Sequence, residues 1–224
     1  MWAMYKETSV TSWHKGMNVR MWERYAQLCP EFEEQDSYVH QAVKIARKGI
    51  DTAFSERPGT KPKEPRMDIG DKIKVMKQLL VQVRSGFMAG PVILEEGQRL
   101  VIDSPTYGIL ETTYSPMFGI AKKGTEEIRL LLNQSSNDLE GGKALRPSVN
   151  SMIIDKYAEM GSMQEWCEFY EGAQWVAGND IRKGFYRSRL SDRRAALSAT
   201  MVCGFHFICV VGIMGAADTP RMIF

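Results

Sequence analysis

The sequence predicts an α+β protein, mostly α with a small central β-element, and three observations carry that expectation. Apolar residues recur at helical spacing over residues 17–54 and 69–85. Short β-rich runs separated by Gly and Pro occupy residues 91–121. Finally, the stretch from Ala195 to Ala217 contains no Asp, Glu, Lys or Arg. A run of that length reads as a C-terminal membrane span or as a core helix.

The elements follow in chain order. Met17, Met21, Tyr25 and Leu28 mark a first helix, which Cys29-Pro30 ends because the residue before proline is pushed out of the α region. A second helix is expected from near Ser37 through Val39, Val43, Ile45 and Ile50 to Phe54. Residues 55–68 carry Pro58, Pro62 and Pro65 among mixed charges and read as a linker or exposed loop. The expected organisation is therefore an N-terminal helical region (1–54), the proline-rich segment (55–68) and a main region (69–224). The main region opens on a helix with Ile73, Met76, Leu79, Leu80 and Val83 along one stripe.

PVILEE, QRLVID and YGILETTY, broken by Gly97 and Ser104-Pro105, then suggest a meander. A short helix is expected from Glu126 to Asn133, and SSNDLEGGK is a loop. Pro147 suits the first position of a helix carrying Val149, Ile153, Ile154 and Tyr157. Ser162 and Glu165 match a capping box that opens a helix towards Ala177, and Gly178-Asn179-Asp180 breaks it.

Composition narrows the function classes. With 44% hydrophobic and 25% charged residues the chain is globular rather than disordered or fibrous. A net charge of +2 means that any affinity for polyanions must come from local clustering. Cys29, Cys167, Cys203 and Cys209 form no CxxC pair, so a reduced interior is expected. MWAMYKETSV has no apolar core of a secretory leader. The 14 methionines suit extensive packing or subunit interfaces, because thioether side chains adapt to irregular gaps.

The one charge cluster lies directly before the uncharged run. Arg182, Lys183, Arg187, Arg189, Arg193 and Arg194 stand against Asp192 alone, with Phe185 and Tyr186 interleaved. Guanidinium groups grip phosphates and neighbouring aromatics stack on unpaired bases, so these eight residues are the candidate nucleic-acid contact. The competing reading is a solvated face that pairs with the acidic row Glu165, Glu168 and Glu171. Cys203, His206 and Cys209 at i, i+3 and i+6 have plausible metal-ligand spacing on a helix. Buried thiols beside a histidine are the simpler account, and neither a metal nor another cofactor is expected.

Catalytic signatures are sparse. His14, His40 and His206 lie in no recognisable triad context. Gly141-Gly142-Lys143 lacks phosphate-loop spacing. Glu95, Glu96, Asp103 and Glu111 fall on strands, where alternation places charges in any case. The Asn133-Gln134-Ser135 sequon is of a kind frequent by chance.

In general outline, long amphipathic helices, a short β-element, a basic segment and an apolar end resemble small viral coat, matrix or nucleocapsid proteins. The resemblance assigns no residue. The charge cluster in a nearly neutral chain, the abundant methionines and the missing catalytic set lead to the expectation of a non-enzymatic, self-associating structural protein that contacts RNA or another polyanion, located in the cytoplasm or a virion. The alternative is a tail-anchored, single-pass membrane subunit of a larger complex, in which the basic residues set orientation. Third comes an enzyme whose active site assembles from dispersed residues around His40 and the β-element.

Overall fold

The computed structural model describes residues 19–28, 38–54, 64–95, 98, 100–125, 127–136, 138–140, 143–146, 148–154, 164, 167, 168, 170–172, 186 and 188–216. Two helices, α1 (Val19–Gln27) and α2 (Tyr38–Lys48), open this part of the chain. Gly49 follows α2 at φ 81 and donates its N–H to the Ile45 carbonyl, closing the helix as a left-handed cap. The longest helix, α3 (Ile69–Arg84), starts where the Asp68 carboxylate accepts the Asp71 N–H. Its buried residues Val75, Leu79 and Gln82 recur at i, i+4 and i+7, the spacing of one helical face.

Strand β1 (Met88–Val92) comes next, followed by two hairpins. One pairs β2 (Val101–Ser104) with β3 (Gly108–Glu111), and the other pairs β4 (Met117–Ala121) with β5 (Ile128–Leu132). A third antiparallel pair joins β6 (Asp138–Glu140) to β7 (Lys143–Arg146). Two four-residue helices, α4 (Val149–Met152) and α5 (Asp192–Ala195), precede β8 (Ala199–Val202) and β9 (Phe205–Cys209). The chain closes a three-stranded antiparallel sheet in the order β1-β9-β8.

That sheet separates two cores. Phe207 and Cys209 of β9 pack with Met88, Val202, the α3 residues Val75 and Leu79, and Met117, Leu130 and Leu132 of the β4–β5 hairpin. Ile208 points the other way, among Ala89, Ile102, Ile50, Leu190 and Ala195. Period-two alternation thus gives each core one face of the same strand.

This arrangement corrects the expectation of a mostly α chain. Residues Ala195 to Ala216 form neither a membrane span nor a core helix. They make the end of α5, a turn and the β8–β9 hairpin. Among the described residues no helix is long and apolar enough to cross a membrane. The physical reason is burial on both faces: a central strand covered from two sides needs no polar alternation, so its sequence reads as continuously apolar. The turn signal inside the run is Cys203-Gly204, at φ 53 and 74, which matches the two-residue hairpin turn with both central residues left-handed. The Glu64 carboxylate accepts the Cys203 N–H at 2.8 Å and also the Lys72 ammonium at 3.0 Å, tying this turn to α3.

Further expectations change: the second helix ends at Lys48 rather than at Phe54, and SSNDLEGGK carries β6 and the start of β7 rather than a loop. Residues 127–133 are not helical, because β5 runs from Ile128 to Leu132 with Leu130 and Leu132 buried against α3. The helix after Pro147 ends at Met152, where Ile153 turns extended and bridges Phe54. The capping residues Ser162 and Glu165 lie outside the described residues.

Candidate nucleic-acid interface

The basic segment is woven into the fold by its backbone before any side chain acts. Ile50 N–H donates to the Arg189 carbonyl and Ser191 N–H donates back to the Ile50 carbonyl, at 2.7 and 2.9 Å. On the other side Leu190 N–H reaches the Val210 carbonyl at 2.9 Å, and Gly212 N–H reaches the Ser188 carbonyl at 2.8 Å. Leu190 is therefore buried, and the residues flanking it are fixed in direction.

Arg182, Lys183, Phe185 and Arg187 lie outside the described residues. The structure places the other four candidates as follows. Tyr186 stacks on Phe87, with ring centroids 4.9 Å apart and planes 9° from parallel. Burial pushes its phenol up from the ordinary value. Arg189 directs Nη2 to the Arg47 carbonyl at 3.3 Å, while its buried Nε meets no partner. Burial pulls its pKa down, against the opposing pull of Asp192.

Arg194 is turned inward, 1% exposed. Its Nη1 donates to Ser198 Oγ at 2.9 Å and its Nη2 to Gln134 Oε1 at 2.8 Å. Gln134, itself fully buried, donates its amide to the Leu197 carbonyl and to Ser198 Oγ. The guanidinium lies 5.8 Å from the Phe54 ring centre. This is an interior polar network that holds the loop after β5 against the turn after α5. A side chain so buried cannot reach a phosphate, whatever its charge.

Arg193 alone of the described four faces outward. Its Nε and Nη2 grip both oxygens of Asp51, at 3.1 and 3.0 Å, in the fork geometry that suits guanidinium and carboxylate. Ser191 Oγ donates to the same carboxylate at 2.9 Å. The Arg193 guanidinium also lies 5.7 Å from the Tyr107 ring centre, within cation–π range.

Tyr107 sits in the turn between β2 and β3, and the buried Ser104 sets its position. Ser104 Oγ donates to Asp192 Oδ2 at 2.7 Å and accepts the Thr106 and Tyr107 N–H groups. Gly108, at φ 69, returns the chain into β3. The arrangement thus brings together Tyr107, Arg193, Asp51, Asp192 and Ser104 from three distant stretches. Sequence reasoning missed Tyr107, Asp51 and Gln134. An aromatic between Pro105 and Gly108 was a turn signal for Tyr107, but no local signal points to Asp51 or Gln134.

The alternatives resolve differently. His206 is buried on β9, with Nδ1 2.8 Å from Tyr114 Oη and the rings edge-to-face. Its pKa is held below the ordinary histidine value by burial. Cys203 lies exposed in the hairpin turn, while Cys209 points into the core shared with α3, where burial pushes its thiol up to about 12. The spacing that would have aligned these three on a helix does not do so across a turn and two strand faces. Among the described residues no group of three or more His, Cys, Asp or Glu could hold a metal ion. Asp103 and Glu111 share the outer face of the β2–β3 hairpin, opposite Ile109 and Val101 respectively.

No protein-family model matches this chain, and no curated protein matches its sequence. Among solved structures, the foamy viral protease-reverse transcriptase dRH in complex with ds DNA is similar in fold. The similarity covers 92% of this chain at a TM-score of 0.50 and 9% sequence identity. The chain corresponds to 34% of that protein's length, so the likeness concerns the fold of about a third of it.

Proposed function

We propose that this chain is a portion of a reverse-transcriptase-like polymerase and that the described region grips template nucleic acid. The observation that carries the reading is the fold correspondence over 92% of the chain with a reverse transcriptase solved on duplex DNA. The proposal covers binding, since the chain corresponds to only 34% of that neighbour.

Surface charge supports the same reading. On the β4–β5 hairpin, Arg129 stands opposite Ile120 on the face turned away from α3, and Lys123 follows at the tip. Lys77 is exposed on α3. Among the described residues none of these three is in an ion pair, whereas Lys122 is engaged by Glu127 and Lys72 by Glu64. Surface cations without an ion pair among the described residues are available for phosphate, and phosphate contacts supply most sequence-independent affinity.

The expectation of a coat- or nucleocapsid-like protein shares the nucleic-acid contact but requires self-association. The two readings separate in solution. Fluorescence anisotropy with a labelled template–primer duplex is expected to show binding at about 50 mM salt, weakening steeply as salt rises. Replacing both Lys123 and Arg129 with Ala should flatten the log-affinity against log-salt slope by roughly two units. Sedimentation should show a species that does not polymerise on binding. Protein that binds no duplex at low salt overturns the proposal, and ordered multimers that form without duplex binding favour the coat reading.

A further inference from the structure

We infer that Tyr107 and Arg193 form a stacking platform for an unpaired nucleobase, placed so that a single-stranded template end rests on the turn of the β2–β3 hairpin. The inference rests on the proposed nucleic-acid reading and adds the site and the strand state it recognises.

The geometry is built for presentation rather than burial. Tyr107 is 44% exposed and Ile109, two residues on, is 70% exposed. An aromatic ring and a β-branched side chain on a hairpin turn are unusual things to leave in water, and here neither covers the core. Arg193, 48% exposed in its side chain, is not free to swing: Asp51 holds two of its nitrogens, leaving Nη1 with no hydrogen bond among the described residues. The guanidinium is thereby held over the ring, 5.7 Å from its centre.

The backbone that carries the tyrosine is held too. Ser104 fixes the turn through the Thr106 and Tyr107 amides, and its own hydroxyl is anchored to Asp192 on α5, the helix that also carries Arg193. Platform and cation are thus pinned to one another through a single short helix.

A planar aromatic beside a planar cation with an unused N–H recognises a flat π-face next to negative charge, which is what a nucleotide offers. Paired bases within a duplex have their faces covered by neighbours, so the ligand is single-stranded. Nothing in the pair reads a base edge, so the contact tolerates any sequence. The restricted freedom of the Arg193 side chain also lowers the ordering cost of binding.

The test uses two labelled DNA ligands, a blunt duplex and the same duplex with a 5′ single-stranded overhang, against wild-type, Tyr107→Ala, Tyr107→Phe and Tyr107→Trp proteins. Wild type should bind the overhang ligand more tightly than the blunt one. Tyr107→Ala should weaken overhang binding roughly 5- to 150-fold, the range for loss of one base–aromatic stack, and weaken blunt-duplex binding by clearly less. Phe and Trp should retain the preference, because the face rather than the hydroxyl matters. A 5-iodouracil in the overhang should crosslink to Tyr107. Equal binding of both ligands by wild type, or an Ala variant with an unchanged preference for the overhang, overturns the platform while leaving duplex binding intact. Wild-type protein that binds neither ligand overturns the underlying functional reading as well. Tyr107 is exposed, so a melting temperature equal to wild type confirms that each variant reports on binding.

Discussion

Arg194 offers the sharpest physical test, because a residue that reads as a phosphate contact in the sequence is an interior group in the fold. Replacing it with Met keeps much of the aliphatic stem but removes donors to Ser198 Oγ at 2.9 Å and Gln134 Oε1 at 2.8 Å. Gln134 is fully buried, so its carbonyl oxygen loses this partner in a place water does not reach. A stranded buried acceptor costs about 1–3 kcal/mol, and hydrogen bonds to a charged donor contribute about 1.5–3 kcal/mol each. Relief of guanidinium desolvation offsets part of the loss. The expected net destabilisation of Arg194→Met is about 3 kcal/mol. Equilibrium urea unfolding measures it, and the double variant with Gln134→Leu makes it decisive. Once both partners are apolar no acceptor is stranded, so the double variant should be less destabilised than the sum of the singles by at least about 1 kcal/mol. Strict additivity, or a single variant as stable as wild type, would refute the reasoning. The Arg194→Met protein should also keep the wild-type salt dependence of duplex binding.

Three further outcomes are expected. Gly215 sits at φ 103, and a Cβ there would lie 2.1 Å from the Leu132 carbonyl oxygen; Gly215→Ala should therefore cost about 3 kcal/mol or more in a thermal or urea melt, since backbone rather than a side-chain tip must move. His206 has its pKa lowered by burial, so the folded state resists its protonation and stability is full above the ordinary histidine value and falls as pH drops below it. Denaturation midpoints recorded from pH 7.5 to 5 should fall for wild type and fall less for His206→Gln, and parallel curves would contradict this assignment. Cys203 holds φ 53 in the β8–β9 turn, where a side chain is strained, so Cys203→Gly should stabilise by about 0.5–1 kcal/mol in the same melts.

Local features of the chain were legible. The helical spacing over residues 69–85 gave α3 close to its observed limits, but of the stripe Ile73, Met76, Leu79, Leu80 and Val83 the residues Ile73 and Leu80 are exposed, and the buried face carries Val75, Leu79 and Gln82. The second helix, which ends at Lys48 rather than at Phe54, and the strand character around QRLVID and YGILETTY depend on similarly short-range chemistry; the break expected at Cys29-Pro30 lies outside the described residues. The uncharged run of Ala195 to Ala217 was visible too, and burial was rightly its meaning: Phe207, Ile208, Cys209, Val210 and Val211 are all at most 2% exposed. Whether that burial belonged to a helix or a strand was not legible. An element covered on all sides loses the polar alternation that marks its period, and only the partners Met88 and Ala89 of β1, far earlier in the chain, make it a strand. The roles of the arginines were undetermined for the same reason. Arg193 and Arg194 are adjacent in sequence and carry equal charge, yet one faces solvent beside Tyr107 and the other lies at the bottom of a network with Gln134. Sequence fixes which charges exist and which short segments can be helix or strand. What each charge meets depends on residues brought from Asp51, Ser104 and Gln134, and those meetings are created by packing two cores against one shared sheet.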